Sequence, residues 1–242
     1  MDVPIERQIA ASGLRKPVHF DRVKLLDMVT RIVPSAFFLL VVLLKFNEQY
    51  AFIVSSLAPG NVPVSWKFVA DVVSRSSTIL FLGLGSILFL IRLEPIKKAK
   101  GVMPRVMAIA GTFFVALLTF FPRANLSMTQ TVIASLLSLV GTGASVFALA
   151  YLGRSFSLMA EARRLVTTGP YRILRHPLYI FEAVASLGVL LQFFSSYTVV
   201  IFLAYCFLQF QRMKNEEAVL ELAFPEYQDY KSRTSRLVPG IY

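Results

Sequence analysis

The sequence is poor in the residues from which metal sites and covalent frameworks are built. It contains one cysteine, Cys206, and two histidines, His19 and His176, in 242 residues. A lone cysteine excludes an intrachain disulfide framework and a cysteine-rich metal site. Cys206 lies in an apolar run, IFLAYCFLQF, and is expected to pack as a small hydrophobic side chain. We therefore predict no metal site.

Charged side chains are also scarce. They make up 16% of the sequence, whereas hydrophobic residues make up 56%. Soluble domains are nearer to about a quarter charged, so much of the apolar surface must face something other than water. The apolar residues come in long blocks, which favours membrane helices over the alternating strands of a lipid-facing barrel.

We predict an all-α, multi-pass membrane protein with about six transmembrane helices. The predicted spans cover residues 32–46, 68–91, 104–121, 129–151, 178–194 and 197–211. The last two are separated only by Ser195 and Ser196, which predicts a tight helical hairpin. Residues 50–57 are too short to span and are interpreted as an interfacial loop. The predicted divisions are an N-terminal segment (1–31), four spans (32–151) and a functional region (152–242).

The net charge of +11 is unevenly distributed along the chain. Lys and Arg concentrate in the N-terminal segment, in residues 92–105, in residues 154–175 and in the tail from Arg212. Six spans place all four basic segments on one face, which the positive-inside rule makes cytoplasmic. We therefore expect both termini and the site in the cytosol, membrane lipids as neighbours and no nucleic-acid partner.

The most unusual polar stretch is LVTTGPYRILRHPLY, residues 165–179. Gly169–Pro170 predicts a turn, and Pro177 is placed to open the fifth span, since proline is tolerated in a first helical turn. The preceding residues 152–166 are interpreted as a short interfacial amphipathic helix. After the sixth span, residues 211–230 are expected to continue as a cytosolic tail helix until Pro225.

A hairpin of the last two spans would bring the start of one beside the end of the other. The polar residues then expected to face each other across a surface cleft are His176, Tyr179, Glu182, Arg212, Glu216 and Glu217. Glu182 lies one turn inside an apolar span, where carboxylates usually serve a site. Other interpretations remain open, because Arg172 and Arg175 can reach lipid headgroups and the glutamates can form a solvated face.

From about Leu152 onward the chain resembles the isoprenylcysteine carboxyl methyltransferase family and related membrane enzymes such as phospholipid N-methyltransferases. The resemblance rests on LVTTGPYRILRHPLY, on the pair Glu216–Glu217 and on the terminal FPEYQDYKSR…RLVPGIY. It departs at Phe181, where the family often has glycine. The first 130 or so residues resemble the family only in forming membrane helices.

The resemblance implies a binding site for S-adenosylmethionine. The cofactor-binding residues that it implies, together with their charged neighbours, are Arg163, Arg164, Leu165, Val166, Tyr171, His176, Pro177, Leu178, Tyr179, Glu182, Glu216 and Glu217. Within this set, residues 163–171 would line the adenosine pocket and residues 176–179 would surround the amino-acid part. Arg212 matches the family's substrate-facing arginine, and Arg175 is assigned with it to catalysis.

The implied reaction is methyl transfer to a lipidic acceptor that enters from the bilayer, with the carboxylate of a prenylated cysteine as the best candidate. An ionised carboxylate needs no strong general base, so positioning would do most of the work. A phospholipid amine, another lipid, a thiol or a phenol remain possible acceptors. An NADPH-dependent sterol-reductase-like enzyme is disfavoured by the sequences Pro177-Leu178-Tyr179 and Glu216-Glu217. A membrane transporter or scaffold is the non-enzyme alternative. A transporter is expected to have repeated halves, and this sequence shows none.

Overall fold

The computed structural model of the chain describes residues 22–58 and 65–240. These residues are mostly helical. The α-helices are α1 (Arg22–Ser56), α2 (Trp66–Ile91), α3 (Met103–Phe113), α4 (Met128–Leu152), α5 (Pro177–Gln192), α6 (Ser196–Ala223) and α7 (Tyr227–Arg233). The 3₁₀ segments are Phe114–Phe120, Gly153–Ser155 and Gly169–Arg172, and the strands are β1 (Lys97–Lys98) and β2 (Glu161–Ala162). His19 and most of the predicted N-terminal segment lie outside the described residues, while residues 22–31 are part of α1.

Three helices within the described residues are long and apolar enough to cross a membrane: Met28–Ser56, Phe68–Ile91 and Met128–Ser155. Two shorter apolar helices, Met103–Leu118 and Pro177–Gln192, coincide closely with the predicted third and fifth spans. The chain is therefore a helical membrane protein. The prediction of six spans, and of which face is cytosolic, stays a prediction.

The interfacial loop expected at residues 50–57 was wrong. Helix α1 continues through this region to Ser56, because its end packs on the start of α2. The Phe52 and Phe68 rings stack with their centroids 5.7 Å apart, and the Arg75 guanidinium lies 4.4 Å from the centroid of the Phe52 ring. Gln49 also donates to the Ser76 hydroxyl at 2.9 Å. These contacts stabilise the last two turns of α1.

The amphipathic helix expected at residues 152–166 was also wrong, although the described residues remain mostly helical, as predicted. Helix α4 ends where Gly153 adopts a positive φ of 50°. The chain then forms β2, which pairs antiparallel with β1 from the distant loop after α2. The backbone bonds from Ile96 N to Ala162 O (2.8 Å) and from Ala99 N to Ala160 O (2.9 Å) extend this pairing. A partner about 60 residues away cannot be read from local periodicity.

Helices α4 and α5 pack closely through small residues. A Cβ atom on Gly141 would overlap the Ala185 backbone, and one on Gly188 would overlap the Ser138 hydroxyl and the Ala134 carbonyl. Small residues let membrane helices approach closely, as the apolar context of the GTG sequence at 141–143 indicates. This packing sets the position of the α5 N-terminus, where the polar motif ends.

The predicted tight connection between α5 and α6 is confirmed. Only residues 193–195 separate the two helices, and α6 begins with a reciprocal cap. Ser195 N donates to the Thr198 hydroxyl at 2.8 Å, and Thr198 N donates to the Ser195 hydroxyl at 3.3 Å. Such caps satisfy backbone donors at a helix start. The helix then runs to Ala223, two residues before Pro225, as the sequence predicted.

Candidate functional site

A cavity of about 560 Å³ lies among the helices, and its lining has two chemically different parts. Its apolar part is bordered by aromatic side chains of α1, α2 and α3, including Phe37, Phe38, Phe81, Phe89 and Phe113. Its polar part is bordered by the 154–176 loop region and by the facing ends of α5 and α6. The same space can therefore contact both a polar and an apolar group.

Most of the site residues predicted from the sequence line this cavity. They are Arg163, Arg164, Leu165, Val166, Tyr171, Arg175, His176, Leu178, Tyr179, Glu182, Arg212 and Glu216. Two predicted residues, Pro177 and Glu217, are not among the lining residues. Pro177 is buried as the first residue of α5. Glu217 is buried too, but its carboxylate faces the loop and the C-terminal segment.

The turn at Gly169–Pro170 brings the first motif residues to the cavity. Gly169 has a φ of +60°, and a Cβ atom there would overlap the Tyr151 ring, so glycine is required on both grounds. The 3₁₀ turn that starts at Gly169 contains Pro170 and the buried Tyr171. Pro177 then opens α5 immediately after His176. The predicted turn and helix start are both confirmed.

Tyr179 and Glu216 join the two helices across the cleft. The Tyr179 hydroxyl donates a hydrogen bond to the Glu216 carboxylate. His176 Nδ1 lies 3.9 Å from Glu216 Oε2, too far for a hydrogen bond. The Glu216 side chain is 24% exposed, so its carboxylate can meet a polar ligand while still accepting from Tyr179.

Arg212 is held deeper in the cleft by a polar network. Its guanidinium lies 5.1 Å from the centroid of the Tyr179 ring, and its Nη1 donates to Gln209 Oε1 at 2.9 Å. Gln209 in turn donates to Glu182 Oε2 at 3.2 Å and to the Tyr205 hydroxyl at 3.0 Å. The network therefore links a carboxylate of α5 to the predicted catalytic arginine of α6.

Tyr205 and Gln209 were not predicted as site residues, although a signal was present in the sequence. Both lie on the helix face of Arg212 and Glu216, at spacings of three or four residues. Gly111 of α3 was missed as well. A Cβ atom on Gly111 would overlap the Arg212 side chain, so this glycine admits the arginine stem. That contact crosses about 100 residues, and local patterns do not show it.

Glu217 collects hydrogen bonds from three cationic or imidazole side chains. Arg175 Nε donates at 2.9 Å, His176 Nε2 lies at 3.2 Å, and Arg236 donates through Nη2 at 2.6 Å and Nε at 3.0 Å. Burial by itself would raise the pKa of the Glu217 carboxyl. The hydrogen bonds from His176, Arg236 and Arg175 outweigh that effect and hold the pKa well below its ordinary value.

Arg175, which was predicted as catalytic, also makes hydrogen bonds outside the part of the cleft that holds Arg212 and Glu216. Besides Glu217, its guanidinium donates to the backbone carbonyls of Thr234 and, at 3.0 Å, Lys231. Arg175 lines the cavity, but these contacts bind the C-terminal segment. Its guanidinium thus has a structural task that the sequence did not indicate.

Arg163 and Tyr171 lie at the loop side of the cavity. Arg163 is buried, donates to the Glu161 carboxylate and to the Leu93 carbonyl, and has its pKa lowered by burial. Tyr171 is buried with its pKa raised, first by burial and then by the negative charges of Glu216 and Glu182. Arg164 is exposed at the rim. The loop side of the cavity is therefore polar, and the burial of Arg163 and Tyr171 leaves these two side chains little contact with water.

Several buried polar atoms along the cavity have no hydrogen-bond partner. They are Ser138 Oγ, Ser155 Oγ, Arg163 Nε, Tyr171 Oη, Arg212 Nε and Tyr227 Oη, and all six residues line the cavity. Buried polar groups are bonded in the large majority of cases. Their concentration at one cavity fits a polar ligand with several donors and acceptors.

The fold is that of a helical membrane protein, with a cavity whose lining is polar on one side and apolar on the other. Residues 133–222 match the model of the Isoprenylcysteine carboxyl methyltransferase (ICMT) family. This match agrees with the resemblance seen in the polar motif, which lies inside the matched residues. The matched region runs from within α4 to the penultimate residue of α6, and thus contains every predicted site residue.

Two curated relatives each match about a third of the chain. It is 32% identical over 83 residues to the nickel-cobalt-cadmium resistance protein NccN of Alcaligenes xylosoxydans xylosoxydans, covering 34% of this chain and 38% of that protein. It is 36% identical over 78 residues to the cobalt-zinc-cadmium resistance protein CzcN of Cupriavidus metallidurans, covering 32% of this chain and 36% of that protein. The similarity therefore spans little more than a third of either relative.

The names of these relatives refer to metal resistance. Within residues 22–58 and 65–240, no group of three or more His, Cys, Asp or Glu side chains is arranged to hold a metal ion. The polar residues of the cavity are instead arginines, tyrosines and separated carboxylates.

Proposed function

We propose that the protein is an integral membrane methyltransferase that transfers a methyl group from S-adenosylmethionine to a lipidic acceptor. The observation that carries this proposal is the two-part cavity, whose polar part suits a zwitterionic nucleoside cofactor and whose apolar part suits a lipid chain. The family match of residues 133–222 supports the reaction class. Small-molecule sites in proteins are generally apolar pockets with a few well-placed polar groups, and they often lie between packed helices.

The residues of the polar part fit the cofactor. Glu216 offers an anionic partner for its ammonium group, and the unpartnered atoms of Ser155, Arg163 and Tyr171 offer donors and acceptors for its other polar groups. Leu165 and Val166 offer apolar contact beside Tyr171. When bound, S-adenosylmethionine supplies an electrophilic methyl group on a sulfonium.

The protein's own contribution is position and exclusion of water. The bond from Tyr179 to Glu216 ties α5 to α6, and the Tyr179 ring lies against the Arg212 guanidinium. Tyr179, Arg212 and Glu216 all line the cavity. Holding two reactants in a dry site with correct orientation accounts for a large share of catalysis in such displacements.

Arg212 is the residue best placed to hold an anionic acceptor. Its Nε has no partner, while its other nitrogens are oriented by Gln209 and by the Leu158 carbonyl at 3.3 Å. Our proposed acceptor is the carboxylate of a prenylated cysteine or a similar group. It would enter from the bilayer through the apolar part, while the cofactor would enter from the cytosol. Phospholipids and small molecules with other acceptor atoms are the alternatives within the same family.

The test uses purified protein in nanodiscs made from a native lipid extract. It is incubated with S-adenosylmethionine labelled in the methyl group, and the labelled fraction is identified by mass spectrometry. We expect label in an apolar product. The Glu216→Gln variant should lose most of this label, whereas the control Glu226→Gln, at an exposed glutamate outside the cavity, should keep it. Wild-type protein that binds NADPH but not S-adenosylmethionine, or that transfers no label, would contradict the proposal.

A further inference from the structure

The C-terminal segment beyond the family match returns to the polar motif. Arg175 N donates to Ser235 O at 2.9 Å, His176 N donates to Arg236 O at 3.2 Å, and Ser235 N donates to Ile173 O at 3.3 Å. These bonds make a short parallel bridge between residues 173–176 and 235–236. The backbone that carries His176 is thus fixed by residues far along the chain.

Side chains strengthen the same contact. The Tyr230 hydroxyl donates to the Tyr171 carbonyl at 2.7 Å, and the Arg175 guanidinium donates to the Thr234 carbonyl. The pKa of Tyr230 is raised to about 12, chiefly by burial, so the hydroxyl stays a donor across the physiological range. We call residues 230–236 the C-terminal clasp. It holds both ends of the stretch 171–176, whose first and last residues line the cavity.

Glu217 connects the clasp to the His176 ring. Arg236 contacts both carboxylate oxygens, with Nη2 on Oε2 at 2.6 Å and Nε on Oε1 at 3.0 Å. His176 Nε2 lies 3.2 Å from the same Oε1. An ionised carboxylate only accepts hydrogen bonds, so Nε2 must carry a proton. The other ring nitrogen, Nδ1, then faces Glu216 across 3.9 Å.

We propose that the C-terminal clasp is part of the cofactor site, with Glu217 and Arg236 as positioning residues. Glu217 sets which nitrogen of the His176 ring carries the proton, and Arg236 orients the Glu217 carboxylate for this task. This assigns Glu217 a role outside the cavity, in place of direct contact with the cofactor. For its binding readout, the inference rests on the proposed use of S-adenosylmethionine.

The physical reason is the geometry of a shared carboxylate. Oε1 of Glu217 accepts from Arg175, His176 and Arg236, whereas Arg236 Nη2 contacts Oε2. Without Arg236, Oε2 loses this contact and the carboxylate, still bound by Arg175 at Oε1, is less firmly oriented toward the imidazole. A carboxylate behind a histidine commonly fixes its tautomer and orientation, as second-sphere partners do at metal sites.

The test exploits the scarcity of histidine. With His19→Gln as the background, ¹⁵N-histidine labelling of the full chain in nanodiscs reports on His176 alone. We expect a single tautomer with the proton on Nε2 in this background. Glu217→Gln should give both tautomers, because an amide can donate as well as accept. Arg236→Met should do the same, whereas the control Arg105→Met, at an exposed arginine outside both the clasp and the cavity lining, should not.

Cofactor affinity provides a second readout. Each of Glu217→Gln and Arg236→Met should weaken S-adenosylmethionine binding by about tenfold, the scale seen for lost second-sphere partners. Because Arg236 acts through Glu217, the double variant should bind no more weakly than Glu217→Gln alone. If Arg236→Met does not fold by circular dichroism, Arg236→Lys replaces it, since lysine cannot contact both oxygens.

A wild-type tautomer in both variants, or strictly additive losses of affinity, would overturn the inference. The tautomer measurement needs no cofactor. A wild-type chain that fails to bind S-adenosylmethionine would therefore refute the proposed function while the tautomer test of Glu217 and Arg236 still stands.

Discussion

Two regions of the molecule differ in the side chains that they bury: helices α1 and α2 on one hand, and the region from α4 to α7 on the other. Along α1, large apolar side chains such as Leu43, Leu44 and Phe46 are more than half exposed, and α1 meets α2 through a buried pair of serines. In the C-terminal region, Arg163, His176 and Glu217 are almost fully buried. The exposed apolar side chains of the first region suit contact with lipid. In the second, each buried charge depends on a specific partner, which is typical of a functional site.

Removing the Glu217 carboxylate should have the largest effect on stability. Glu217→Leu leaves the Arg175 and Arg236 guanidinium groups without their shared carboxylate. Breaking a buried ion pair costs about 3–5 kcal/mol, equivalent to a fall in Tm of roughly 10 °C for a chain of this size. In α1, Ser35→Ala loses only its hydrogen bond to the Ser86 hydroxyl at 3.0 Å and should cost about 1 kcal/mol. Thermal unfolding in detergent measures both, and equal losses would remove the contrast between the regions.

Arg212→Lys should separate turnover from binding. If the acceptor is a carboxylate, the planar guanidinium can hold both of its oxygens, which lysine cannot do. Misplacement of about 1 Å can cost a hundredfold in rate, so kcat should fall by about that factor while the cofactor Kd stays near normal. The exposed Lys214, two residues along α6, gives the control variant Lys214→Met. Full activity of Arg212→Lys would count against a carboxylate acceptor and favour an amine.

The close packing of α4 on α5 can be tested with two glycines on one helix. Gly141→Ala places a methyl group against the Ala185 backbone, and this overpacking should cost about 1–3 kcal/mol. Gly143 has open space where its Cβ would lie, so Gly143→Ala should stabilise the helix by about 0.5–1 kcal/mol. Opposite shifts in Tm are expected. A shift of the same sign in both variants would refute the helix contact.

The smallest effect concerns pH. The Glu217 pKa is lower in the folded protein than in the unfolded chain, where a glutamate titrates near pH 4.3. Its contribution to stability is therefore complete above about pH 4.3 and is lost as the pH falls from there toward the folded pKa. The difference in unfolding free energy between wild type and Glu217→Gln should shrink between about pH 5 and pH 3. A difference that does not change over this range would show that Glu217 is not ionised as described.

The sequence by itself was sufficient for features that depend on neighbours along the chain. Blocks of apolar residues predicted the helices, Gly169–Pro170 predicted the turn, and Pro177 predicted the start of α5. The spacing of four residues between Arg212 and Glu216 placed both on one face of α6. Each of these follows from backbone geometry or from the helical repeat, which a local stretch expresses in full.

Only the tertiary structure decided which groups meet. The pairing of β1 with β2 replaced an expected helix, contacts with α2 extended α1 through residues 50–57, and Gln209 and Tyr205 joined the site from the interior of α6. Adjacent glutamates of one helix took different positions, Glu216 at the cavity and Glu217 against Arg175, His176 and Arg236. A buried carboxylate is stable only where cationic partners converge on it, and those partners come from the loop and the C-terminal segment, which only folding brings together.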